Sequence, residues 1–208
     1  MKIIIILFHI YHKRNCDWNN NDVDQILEVL KKEDVKVTFF MVGDWVRKYP
    51  DDVKKIYEAG HEIGTHSDTH PHVNKLTYEE NIQELEKSSE EIQKITGVKP
   101  TLYRTPYGEY NNTVIKSANE SGYFPIQWSL DTLDYKNLTA EEMWNRIEKI
   151  SSGDIVLMHN GTEHTADSLQ SIIQKIKAKG LSIVKVSELI YQSNYYIDIN
   201  GVQKSIEK

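Results

Sequence analysis

A parallel α/β architecture is predicted by three features of the sequence. Short apolar, β-rich runs alternate with helical patterns, and seven such strand–helix units fit in about 190 residues. Several runs, such as VTFFMV at 37–42, are apolar throughout rather than alternating, as suits strands buried on both faces. The unusual polar clusters fall where strands end, on the face where parallel α/β folds build their sites. These features alone leave the sheet either open and doubly wound or closed into a barrel.

The predicted strands are Ile3–Ile10, Val37–Val42, Glu62–Thr65, Thr101–Arg104, Phe124–Trp128, Ile155–Met158 and Ser182–Val186. The run at Ile3–Ile10 also has the composition of a short signal core. It is far too short to span a bilayer and no small-residue cleavage pattern follows it, so the strand reading is preferred. Helices between the strands carry their own signals. Val23, Ile26, Leu27 and Leu30 form one apolar stripe. Thr77 with Glu80 reads as a capping box ahead of Ile82, Leu85, Ile92 and Ile95, and Gly97 stops that helix. Thr139 with Glu142 repeats the device ahead of Met143, Ile147 and Ile150, while Gly60, Gly122, Gly153 and Gly180 mark further helix ends. Residues 193–208, with an Asn-Gly turn signal, read as a tail or small hairpin after a domain spanning 1–192.

Composition narrows the function classes. The chain of 208 residues is 39% apolar and 27% charged, which suits one globular domain and excludes general disorder. A net charge of −6 argues against nucleic acid and anionic membrane surfaces as partners, because no basic stripe answers phosphate. No segment has the length of a transmembrane helix, and a monomer is expected. A single cysteine, Cys16, excludes an intrachain disulfide.

Half of the eight histidines (His61, His66, His70 and His72) fall within residues 61–72. At the centre, HSDTH puts His66 and His70 four positions apart, on one face if the segment is helical, where a divalent metal can collect two nitrogens. The pair alone decides nothing, since the same spacing occurs on solvated turns. Its neighbours add weight: RTPYG (104–108), WSLDTLDY (128–135) and LMHN (157–160) also stand at C-terminal strand ends. A histidine pair, a further histidine at a strand end, an arginine and two carboxylates together supply the parts of metal-assisted hydrolysis.

The set HSDTH, RTPYG, SLDTLDY and LMHN, with VKVTFFMVG, EAGHEIGTHS and GDIVLMH, resembles the NodB-homology polysaccharide deacetylases, carbohydrate esterase family 4, over about Asp17 to Leu189. The resemblance implies a distorted, incomplete (β/α) barrel, similar to a TIM barrel, of about seven parallel strands. It implies one divalent metal, Zn²⁺ in first place, with His66 and His70 as ligands. It implies that His159 is the catalytic histidine, that Asp131 tunes it, that Arg104 orients the base, and that the Tyr107 N–H is an oxyanion donor. Tyr107, Trp128 and Tyr135 become candidates for a sugar groove, with core packing an equal alternative for Trp128. The implied substrate is an N-acetylated glycan, peptidoglycan-like or chitin-like, and the implied place of action is outside the membrane.

The first family motif, Thr-Phe-Asp-Asp-Gly, is replaced here. In a gapless count back from Phe39, its aspartates fall on Asn15 and Cys16, and the carboxylate at hand is Asp17. NCDWN (15–19) is similar instead to the Asn-Val-Asp-Trp-Gly of sporulation-type relatives. Asp17 is left with two candidate jobs, ligand or base, of which ligation is preferred because it completes a His₂Asp set. A glycan-binding relative with impaired catalysis is the alternative function.

Overall fold

The computed structural model describes residues 2–10 and 21–206. Eight strands make one parallel sheet: β1 (Lys2–Ile10), β2 (Thr38–Met41), β3 (Glu62–Thr65), β4 (Leu102–Arg104), β5 (Phe124–Ile126), β6 (Leu130–Asp131), β7 (Ile155–His159) and β8 (Leu181–Ile183). Their order is β5-β4-β3-β2-β1-β7-β6. β8 joins the start of β1 over Lys2–Ile4, while β7 takes Ile5–His9. The ends of this path, β5 and β6, are not hydrogen-bonded to each other, so the (β/α) barrel is incomplete there.

The helices are α1 (Val23–Lys32), α2 (Gly43–Lys48), α3 (Pro50–Glu58), α4 (Tyr78–Thr96), α5 (Asn112–Glu120), α6 (Ala140–Ile147), α7 (Thr165–Ala178) and α8 (Val186–Leu189). Both predicted capping boxes form, Thr77 with Glu80 on α4 and Thr139 with Glu142 on α6, and Gly97 closes α4 in the left-handed conformation. Val23, Ile26 and Leu30 bury the inner face of α1. Successive β2 residues divide between two cores, as strand alternation requires. Phe39 and Met41 enter the large cluster that also holds Trp45, Ile172 and Ile176. Phe40 joins Leu102, Ile126 and Val186 in a smaller one. Gly64 belongs to that second packing, because a Cβ there would lie 2.5 Å from the Phe40 ring.

Three expectations are corrected. Phe124–Trp128 is not one strand: β5 stops at Ile126, and Leu130–Asp131 pairs instead with β7. The chain changes sheet edge across 127–129, which a continuous strand cannot do. The sheet therefore has eight strands, against the seven expected. The last strand ends at Ile183, and Val186 opens α8, its N–H donating to Thr38 Oγ1 at 2.9 Å.

Residues 195–205 form an antiparallel hairpin of β9 (Tyr195–Ile197) and β10 (Gln203–Ser205). No helix among the described residues is long and apolar enough to cross a membrane.

Candidate active site

The site is assembled from loops at the C-terminal ends of β3, β4, β6 and β7. After β3, the His66 N–H still donates to Met41 O at 2.9 Å, which carries the ladder one residue further. The His66 ring is buried, and its Nδ1 lies 2.7 Å from Arg104 O. A carbonyl only accepts, so Nδ1 carries the proton and Nε2 keeps its lone pair. The segment is not helical. Ser67 (φ 69°) and His70 (φ 57°) are left-handed, and the His70 N–H donates to Ser67 Oγ at 3.0 Å. This turn, rather than a helical face, brings the two imidazoles to a centroid distance of 4.8 Å. Burial, and secondarily His70, lowers the His66 pKa well below the usual imidazole value; burial lowers that of His70 to about 4. Both rings are therefore neutral near pH 7, the state in which imidazole binds a cation.

These donors fit two nitrogen positions of a divalent metal, and the Arg104 carbonyl behind His66 Nδ1 orients that ring as metal-binding imidazoles are commonly oriented. No third His, Cys, Asp or Glu joins them among the described residues. Asn15, Cys16 and Asp17 lie outside the described residues.

Arg104 closes β4 and is fully buried. Its Nη1 donates to Gln127 Oε1 at 2.8 Å, and the guanidinium lies 3.6 Å from the centre of the Trp128 ring. Burial pulls its pKa down to about 9, which leaves the cation charged at neutral pH. Gln127 also donates to Gly108 O at 3.0 Å, tying Arg104 to the turn at 106–108. Within that turn Tyr107 is left-handed at φ 56°. Its exposed ring stacks on His72, 4.3 Å between centroids and 13° between planes, and meets the His70 ring edge-on at 4.5 Å.

His159 closes β7, and its partner is Asp134, not Asp131. Asp134 Oδ1 lies 2.7 Å from His159 Nδ1 and accepts the Tyr135 N–H at 3.0 Å. Its Oδ2 accepts the His159 N–H at 2.6 Å and the Thr165 hydroxyl at 2.8 Å. The expectation for Asp131 is thus corrected. Asp131 ends β6 and spends Oδ1 on the Leu133 N–H at 2.8 Å. Leu133 then turns left-handed at φ 52° and delivers Asp134 to the buried side of His159. The Tyr135 ring stands edge-on to His159 at 5.4 Å. His159 and Arg104 both lie within electrostatic reach of His66 and His70, lowering their pKa values.

Residues 11–126 match the polysaccharide deacetylase family. The chain belongs to that family. It is 38% identical over 177 residues to the uncharacterized protein YlxY of Bacillus subtilis, covering 85% of this chain and 55% of that one. It is 33% identical over 174 residues to a peptidoglycan-N-acetylglucosamine deacetylase of Bacillus cereus, covering 81% and 63%. The chain thus spans little more than half the length of these curated relatives. Among solved structures, a CE4 family pseudoenzyme from Bacillus anthracis superposes with a TM-score of 0.83 at 33% identity, covering 90% of this chain and 65% of that one. A mutant of that pseudoenzyme with restored enzymatic activity gives 0.84 at 34% identity, covering 90% and 67%.

Within this deacetylase-family site, three contributors escaped sequence reasoning, Gln127, Thr165 and Asp22, while Asp134 was seen but not assigned to His159. Asp134 was visible as the second aspartate of SLDTLDY, but which one turns inward depends on the single left-handed residue between them. Thr165 and Gln127 act by contacts with residues 31 and 23 positions away. Asp22, at the start of α1, accepts the Gly161 N–H at 2.7 Å and so ties down the loop after His159. Trp128, one of the groove candidates, spends a ring face on Arg104, while Tyr107 and Tyr135 are exposed beside the histidines.

Proposed function

We propose that this chain is a metal-dependent deacetylase domain that hydrolyses the N-acetyl amide of a peptidoglycan-like or chitin-like glycan. The observation that carries the reading is His159, held by one buried carboxylate through both its ring and its backbone N–H, on the same rim as the neutral pair His66 and His70. A protein that only binds glycan has no need of a histidine so fixed.

His66, His70 and Asp17 are the residues that would hold the ion, with Zn²⁺ favoured by nitrogen-rich ligation. Bound there, a divalent cation supplies Lewis-acid polarisation of the amide carbonyl and brings the pKa of water toward about 7. The chain's own groups do the remaining work. Asp134 accepts from Nδ1, which fixes the tautomer, aims Nε2 at the rim and favours the imidazolium when it forms. Water oxygen bonds to the acetyl carbon as His159 Nε2 takes one of its protons, and the imidazolium so formed gives that proton to the amine nitrogen as the C–N bond breaks, so acetic acid and a free amino sugar leave. The Tyr107 N–H is assigned to the carbonyl oxygen as negative charge develops there. Exposed Tyr107 and Tyr135 offer apolar faces to pyranose rings.

A second reading, a glycan-binding relative without turnover, is favoured by one observation. In the gapless sequence register Asn15 falls at the position of the family's base, and an amide does not accept a proton near neutral pH. The similar fold of the Bacillus anthracis pseudoenzyme supports it. Acetate release from N-acetylglucosamine oligomers separates the two. Wild type is expected to release acetate, and His159→Ala to lose about 10²–10⁴-fold while keeping its metal. Metal-loaded wild type that releases none, with release gained by Asn15→Asp, establishes the second reading instead.

A further inference from the structure

The three residues between His66 and His70 are fastened from two sides. On one side, the first N–H groups of α2 reach the loop: Gly43 donates to Ser67 O and Asp44 to Asp68 O, both at 3.0 Å. Arg47 of the same helix holds Asp68 Oδ1 at 2.6 Å. A Cβ at position 43 would fall 2.2 Å from that oxygen, so only glycine admits so close an approach.

On the other side a single carboxylate does the work. Glu84, in the second turn of α4, accepts the N–H of Asp68 at 2.9 Å and of Thr69 at 2.8 Å on Oε2, and the Thr69 hydroxyl at 2.9 Å on Oε1. Both backbone donors lie between Ser67 and His70, the two left-handed residues that turn the imidazoles toward each other. Non-glycine residues hold such a backbone only where surrounding contacts over-determine it. Thr69 is exposed, so water would take over its N–H if the carboxylate were absent.

We propose that Glu84 is a positioning residue for the His66–His70 pair. Its carboxylate fixes the Asp68 and Thr69 peptides and thereby sets the approach of the two imidazoles to an ion. The inference rests on the metal reading above for its consequence, but not for the latch itself. Glu84 touches neither histidine and acts through the loop backbone.

The test compares Glu84→Ala with Glu86→Ala. Glu86 lies on the same helix but pairs with Lys99 at 2.6 Å, away from the loop. Alanine at 84 removes all three contacts, whereas glutamine keeps an oxygen for both N–H groups and an N–H₂ that the Thr69 hydroxyl can accept. Zinc titrations against a chromophoric competitor are expected to show about 10–100-fold weaker binding in Glu84→Ala and wild-type binding in Glu86→Ala. In the metal-free protein, the Asp68 and Thr69 amides should lose hydrogen-exchange protection in Glu84→Ala alone. Thr69→Val, which removes one of the three bonds and leaves α4 intact, should fall between and serves if Glu84→Ala does not fold. Zinc affinity unchanged in Glu84→Ala, or lost equally in Glu86→Ala, overturns the proposal. If wild type binds no zinc, the metal reading fails and the latch is judged by the amides: lost protection supports it, retained protection overturns it.

Discussion

Replacing Asp134 by asparagine probes the half of the site built around His159. The fully buried carboxylate receives four donors, two on each oxygen: His159 Nδ1 and Tyr135 N on one, His159 N and Thr165 Oγ1 on the other. Asparagine keeps a single acceptor oxygen. If its amide nitrogen takes the first position, the Tyr135 N–H is left facing a donor and the imidazole must move its proton to Nε2. If it takes the second, Thr165 can rotate to accept, but the His159 N–H is stranded. Either arrangement leaves one N–H unpaired, part-buried at Tyr135 or buried at His159, at about 1–3 kcal/mol. For a chain of this size that lowers the melting temperature by about 2–12 °C. Turnover should fall by about 10²–10⁴-fold, because the imidazolium loses its carboxylate. Asp131→Asn is the matched control, since among the described residues its carboxylate is hydrogen-bonded to the Leu133 N–H, a bond the asparagine oxygen can keep, and its effect should stay within about 0.5 kcal/mol. Thermal melts and acetate release on the two variants decide the matter. Equal losses in both, or an Asp134→Asn protein as stable as wild type, would refute the assignment of Asp134.

Two further perturbations test other parts of the structure. Gly64→Ala forces a Cβ to 2.5 Å from the Phe40 ring and 3.0 Å from Leu102 O, so a loss of about 1–3 kcal/mol is expected in urea denaturation; an unchanged midpoint contradicts the packing described for the Phe40 cluster. Burial raises the Asp22 pKa from 3.8 to about 6, so the native state holds that proton more tightly than the unfolded chain. Its contribution therefore falls as pH rises from about 4 to about 6, by up to about 3 kcal/mol, and stays lost above. Asp22→Asn should match wild type near pH 4 and exceed it at pH 7, and a variant less stable at pH 7 counts against the burial argument.

What the sequence made legible was what short-range chemistry decides. Thr77 with Glu80 and Thr139 with Glu142 are separated by a fixed helical offset, so the caps could be read directly. Apolar runs such as VTFFMV announced the buried strands, and the polar clusters after them marked the rim. Legibility failed where one backbone torsion chose between equivalent residues. Left-handed Leu133 makes Asp134 rather than Asp131 the partner of His159. Left-handed Ser67 and His70 make HSDTH a turn, where its spacing left helix and turn open, and both positions are non-glycine, so no residue type flagged them. β6 is two residues long and defined only by its pairing with β7, which no local pattern encodes. Glu84 reaches its loop across 15 and 16 positions and reads in sequence as one more acidic residue of an amphipathic helix.

The proposed deacetylase stands on an ion held by the histidine pair and used to release acetate. Bound zinc and acetate released from N-acetylglucosamine oligomers, measured on the same preparations of wild type and a His66→Ala, His70→Ala double variant, decide whether it does so. One zinc per chain with acetate release is expected in wild type, and neither in the double variant. Equal zinc in both proteins, or acetate released equally by the double variant, would contradict it.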